Sequence, residues 1–219
     1  MAISNSKMLR ELGCGNIGIH PLPSLEDFDA CNANLHLGSY LIVWPMDVPY
    51  VVDHRVEHIA AAWKRHGIKV DISGGKSYKL RVGEKCLALT QEHVTLPTHS
   101  HLNWLQRLCQ GKRVYLGRLS NRSWAGRSFI RSAVDAFEIK PGTDNQITLE
   151  MIGDFEIELY EGMPFIQISF ERVYGRVFAT NGWVHGQQSA AGGENPKSVQ
   201  FDASVLAMYE RARKANGAK

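Results

Sequence analysis

The sequence contains no apolar run approaching the roughly 18 residues needed to span a bilayer. Its opening, "MAISNSKMLRELG", lacks the continuous apolar region of a secretory signal. It has no polybasic run or tail: 25 Lys and Arg stand against 22 Asp and Glu, a formal charge of +3 that makes no case for a nucleic-acid partner. Cysteine is scarce. Cys14, Cys31, Cys86 and Cys109 are widely spaced in a chain long enough to fold without cross-links, which favours reduced thiols. The expectation is a soluble, cytoplasmic protein with neither a membrane nor a nucleic acid as partner.

What is present is enough apolar material for one core. At 219 residues and 44% hydrophobic content, the chain is expected to form a single domain over 1–219. "SNSKMLREL" reads as a short helix, with Ser or Asn to cap it and Gly13 to end it. The following "GCGNIG" matches GxGxxG, but it follows a helical pattern and runs into "IHPLP". A dinucleotide loop must instead follow a strand and open a helix. "NLHLGSYLIVW" alternates and then turns apolar, as a strand entering a core does. "DHRVEHIAAAWKRHG" sets Val56, Ile59, Ala60 and Trp63 at helical spacing, with Asp53 as cap and Gly67 as stop. It also places His54 and His58 one turn apart, but no third ligand stands at a metal-site spacing, and both read as surface histidines.

From residue 68 the rhythm changes to short strands punctuated by Gly83, Pro97, Gly142 and Gly162. The predicted strands are "IKVDI", "YKLRV", "KCLALTQEHVTL", "KRVYLGRL", "RSAVDAFEI", "QITLEMI", "FEIELY" and "PFIQISFERV". A polar, glycine-rich segment at about 181–197 then reads as a tail or a flap, and "DASVLAMYERARK" as a closing helix at about 202–214. The architecture expected is mainly β, with short helices at the N-terminus, near 53–66 and at the C-terminus.

Two stretches carry chemistry. "NRSWAGRS", residues 121–128, has the donors to hold a phosphate but neither the glycine spacing nor the lysine of a P-loop; taken alone, it also fits a polar turn between strands. In "QITLEM", alternation sends Ile147, Leu149 and Met151 to one face and Gln146, Thr148 and Glu150 to the other, where Glu150 fits a solvated carboxylate as well as a reactive one.

The order of the pieces decides between these readings. "CLALTQEHVTLP", "NRSWAGRS", "AFEIKPGTDNQITLEM", "YEGMPFIQISFERV" and "HGQ" follow one another. That series resembles the dCTP deaminase branch of the dUTPase-like superfamily, in which a "vTLP" strand precedes an Arg-Ser-Ser-Leu-Ala-Arg segment, an "A-x-x-I-D-P-G" turn, a strand ending in "LE", a "PGM" turn and a glycine-rich tail. The upstream "NLHLG" matches a "VDVRLG"-type strand, with Asn34 where an aspartate is usual. The resemblance covers about residues 6 to 190 and is strongest from 114 to 175. It implies a dUTPase-like β-roll, a distorted jelly roll, assembled as a homotrimer.

It further implies roles for individual residues. Arg122, Ser123 and Arg127 fall on the triphosphate-binding Arg, Ser and Arg, and Trp124, which replaces the second serine, falls on another substrate-binding position; Glu150 falls on the catalytic glutamate. Ala136 falls on the alanine whose carbonyl holds the attacking water together with the serine hydroxyl. Val134 and Asp135 fall on substrate-binding positions, and Gln187 on the glutamine that contacts the pyrimidine. Two positions depart from the pattern: Lys140 stands where an aspartate precedes "PG", and Trp183 where the tail has a phosphate-binding lysine.

The implied activity is hydrolytic deamination of a deoxycytidine nucleotide, dCTP to dUTP and ammonia. No two cysteines stand three apart, so the HxE and PCxxC signature of a zinc deaminase is missing and no protein-ligated metal is expected; Mg²⁺ would ride on the nucleotide phosphates. The alternatives are a dUTPase-like pyrophosphatase, a deaminase of a modified or less phosphorylated cytosine nucleotide, and a non-catalytic nucleotide sensor.

Overall fold

A computed structural model describes residues 1–48, 59–99, 105, 111–132, 137–175 and 177. Helix α1 (Asn5–Gly13) is capped by Ser4, whose hydroxyl accepts from the Lys7 amide, and it is closed by the Cys14 amide on the Arg10 carbonyl. Its Met8 and Glu11 face inward. Strand β1 (Gly18–His20), a 3₁₀ turn (Leu25–Asp27) and the long strand β2 (Ala33–Trp44) follow. The predicted central helix is seen as α2 (Ile59–His66), whose Trp63 meets Trp44 edge-on at 5.1 Å; the expected cap Asp53 and the pair His54 and His58 lie outside the described residues. Gly67 ends this helix, where a Cβ would lie 2.5 Å from both the Trp63 carbonyl and Ile42.

The remaining strands are β3 (Ile68–Asp71), β4 (Ser77–Leu80), β5 (Lys85–Thr95), β6 (Val114–Asn121), β7 (Ile130–Ser132), β8 (Glu138–Ile139), β9 (Asp144–Gly153), β10 (Ile157–Tyr160) and β11 (Pro164–Val173), with the one-turn helix α3 (Ser123–Arg127) after β6. They form an antiparallel sheet ordered β7-β9-β5-β2-β11-β6-β8, with β1 added on β5 and β3 on β2; β4 and β10 make a separate ribbon. Strand β2 pairs with β11 along Ala33–His36 and with β3 along Tyr40–Val43. Its register slips against β5 between Leu37 and Leu41, at Gly38. A Cβ on Gly38 would stand 2.9 Å from the Leu89 carbonyl, so the two backbones approach as closely as they do because no side chain intervenes.

One expectation needs correction. "RSAVDAFEI" does not form a single strand: it contributes β7 to one end of the sheet and β8 to the other. Seven strands laid flat put their outer members about 29 Å apart, whereas the six residue-to-residue steps from 132 to 138 reach about 21 Å at most. The sheet must therefore curl until its two ends approach each other. The core includes Leu35, Leu37, Leu41, Tyr115, Phe165 and Phe170. The glycine-rich segment and closing helix predicted at about 181–197 and 202–214 lie outside the described residues.

Candidate active site

The arginine-bearing stretch sits where β6 leaves the sheet. The last β6–β11 rung is Asn121 opposite Ile166, after which the chain turns into α3. Arg122 occupies the cap position, its carbonyl accepting from the Gly126 amide at 3.0 Å, and the Ser128 amide closes the turn on the Trp124 carbonyl at 2.9 Å. Ala125 is buried, which turns Ser123 and Arg127 outward into solvent and leaves Arg122 half-buried. Trp124 takes another direction from the arginines. Its indole N–H donates to the Pro164 carbonyl at 3.1 Å, and its ring meets the buried Phe165 edge-on at 5.6 Å.

After α3, Phe129 adopts a left-handed backbone (φ 51°) and meets Phe155 edge-on at 5.6 Å before β7 begins. Strand β7 pairs with β9 through Ser132 opposite Met151, so Glu150 stands one residue from the rung that joins the two strands. The predicted alternation of β9 holds: Ile147, Leu149 and Met151 are buried, Glu150 is exposed, and no described residue hydrogen-bonds to its carboxylate. The chain thus runs from the arginine turn through β7 directly alongside Glu150. Val134, Asp135, Ala136 and Gln187, and the Trp183 position, lie outside the described residues.

Lys140 follows β8 in an exposed turn. Its carbonyl accepts from the Thr143 amide at 3.2 Å, and the Gly142 amide donates to the Leu96 carbonyl at 2.6 Å, tying this turn to the end of the "VTLP" strand.

Beside these predicted residues the structure assembles a charged cluster that the sequence reading did not single out. Glu92 on β5 is almost wholly buried and accepts from both the His36 amide (2.8 Å) and the His36 ring Nδ1 (2.6 Å). Asp27, from the 3₁₀ turn, faces the ring's other nitrogen at 3.4 Å and accepts from Asn34, whose amide oxygen accepts in turn from Gln167 on β11. The bond to Glu92 raises the His36 pKa above its ordinary value, against burial and with help from Asp27. Asp27 is pushed up by burial, but Ser24, Asn34 and His36 outweigh this and hold it below the usual range. The available signal was strand parity: Asn34 and His36 share the face of β2 opposite Leu35 and Leu37.

Comparison with known proteins fits this architecture. The fold is shared with the crystal structure of a 2'-deoxycytidine 5'-triphosphate deaminase from Agrobacterium tumefaciens (TM-score 0.57, 16% identity, 82% of this chain and 50% of that one), so the chain spans about half the length of that solved protein. Among curated proteins it is 29% identical over 182 residues to a dCTP deaminase of Shewanella amazonensis, covering 81% of this chain and 86% of the relative. It is 26% identical over 187 residues to a dCTP deaminase of Idiomarina loihiensis, covering 80% and 85%. The family model for dCTP deaminase-like proteins matches residues 2–173, and the chain belongs to that family.

Proposed function

We propose that this protein deaminates a deoxycytidine nucleotide, dCTP in the first instance, to the corresponding deoxyuridine nucleotide and ammonia. The observation that carries the reading is Glu150: a solvent-facing carboxylate on a strand whose opposite face, Ile147, Leu149 and Met151, lies in the core, next to the β7 rung reached from the arginine turn. Hydrolytic deamination requires water to be deprotonated, added to C4 of cytosine, and the amine protonated as it leaves. A single carboxylate within reach of both atoms can move that proton. Ser123 and the Ala136 carbonyl hold the water in this scheme. Arg122 and Arg127 bind the triphosphate through forked, charge-assisted bonds, Val134 and Asp135 line the substrate, and Gln187 reads the pyrimidine. Mg²⁺ enters on the phosphates, and the active unit is a homotrimer.

The exposed Lys140 argues for deamination over pyrophosphate release. Attack on the α-phosphorus needs a carboxylate at that turn to activate water, and an ammonium cannot act as that base at neutral pH. The expected products are dUTP and ammonia with the triphosphate intact, and phosphorus NMR of the reaction distinguishes them from dUMP and pyrophosphate. Glu150→Gln is expected to bind dCTP like the wild type and to lose at least ~10²-fold in turnover. Undiminished ammonia release from that variant removes the assignment.

A further inference from the structure

The five residues of α3 are too few to hold a helical turn in place by themselves, and the Arg122 side chain makes no capping bond. Something outside the segment must set its direction. Ala125 contributes a methyl group, which fills space but does not fix rotation. Trp124 supplies the rest. Its main-chain carbonyl accepts the amide that closes the helix just after Arg127, and its indole N–H crosses to Pro164 beyond the last β6–β11 rung, adding a side-chain bond where the ladder has run out. Its ring packs on Phe165, and the β10–β11 turn that carries this anchor is itself held by the Leu37 amide on the Met163 carbonyl and the Gly162 amide on the Leu37 carbonyl.

We infer that Trp124 is a positioning residue for nucleotide binding: it touches no phosphate, but clamps α3 to the start of β11 so that Arg122 and Arg127 converge on the triphosphate. This rests on the proposed nucleotide-binding role of the two arginines. It replaces the expectation of a direct substrate contact at position 124, because an indole N–H committed to Pro164 is not available to a ligand.

Trp124→Phe tests the clamp, since it keeps an aromatic ring against Phe165 and removes the N–H. The KM for dCTP is expected to rise about 3- to 10-fold with kcat within about 2-fold of wild type, the scale of one lost net hydrogen bond. Calorimetry with inorganic tripolyphosphate is expected to show the same weakening, and binding of deoxycytidine without phosphate to be unaffected. Trp124→His, which retains a ring N–H, is expected to recover part of the loss.

The decisive arm is non-additivity. In an Arg127→Ala background, Trp124→Phe is expected to cost clearly less than it does in the wild type, because the residue it positions is gone. A merely structural tryptophan costs the same in both backgrounds, and that result, or unchanged affinity in Trp124→Phe, overturns the inference and leaves the functional reading standing. A wild-type protein that binds neither dCTP nor tripolyphosphate overturns both.

Discussion

His36 shows how one side chain makes stability depend on pH. Glu92 faces its Nδ1 and Asp27 its Nε2, with Asn34 bonded to Asp27 and Ser24 beside it, so the protonated ring satisfies both carboxylates and the neutral ring leaves one facing a lone pair. Because the folded pKa lies above the unfolded value, this contribution is complete below about pH 6.5 and is lost as pH rises through the folded pKa. The melting temperature of His36→Gln is therefore expected to fall well below wild type at pH 6 and to approach it in mildly alkaline buffer. A difference that stays constant across that range excludes the ionic account. Cys86 behaves oppositely in character: burial first, then Glu84, pushes its thiol up to about 12, so it stays protonated and inert, whereas Cys14 and Cys31 are exposed.

At the scale of elements, close backbone approaches identify where substitutions are tolerated. Gly38→Ala forces a methyl group against the Leu89 carbonyl, backbone against backbone, and is expected to destabilise by about 1 to 3 kcal/mol. Gly13→Ala, in the last turn of α1 with nothing near its Cβ, is expected to be neutral or to gain up to about 1 kcal/mol. Urea midpoints of the two variants check both signs. The strands were legible in sequence wherever one face is buried, as in β5, β9 and β11, because alternation records burial directly. The division of 131–139 was not legible, since a short run of mixed residues reads as one strand until its partners are known. Nor was the direction of Trp124: a one-turn helix is too short to show a period, and its orientation is set by Pro164 and Phe165, some 40 residues on. Glu150 was placed correctly by parity, whereas the Asp27–His36–Glu92 cluster was missed because parity gives a face without saying what covers it.

Across the whole molecule, the N-terminal helix is held by charge as well as by packing. Glu11 is fully buried among Lys7 (2.5 Å), Asn16 (2.5 Å) and Arg113 (2.8 Å), the last standing at the head of β6. Burial pushes its pKa up, but these partners outweigh burial and leave it below the usual range, so its contribution is present at neutral pH and lost as pH falls through the folded pKa. Glu11→Ala is expected to cost about 2 to 3 kcal/mol, and hydrogen exchange to show α1 loosening first in acid. Equal protection of α1 and β11 down to pH 4 would rule this out. The same long reach governs how the chain is made. Ile3 bonds to Phe170, and Asn34 to Gln167 across 133 residues of sequence, so although β3 covers the Tyr40–Val43 half of that edge of β2 early, the Ala33–His36 half has no strand partner there until β11 exists. At a synthesis rate of about 5 to 20 residues per second, the Ala33–His36 half of β2 waits on the order of 7 to 27 s for β11, a vulnerable interval in which its backbone edge is unpaired and open to chaperones or to another nascent chain.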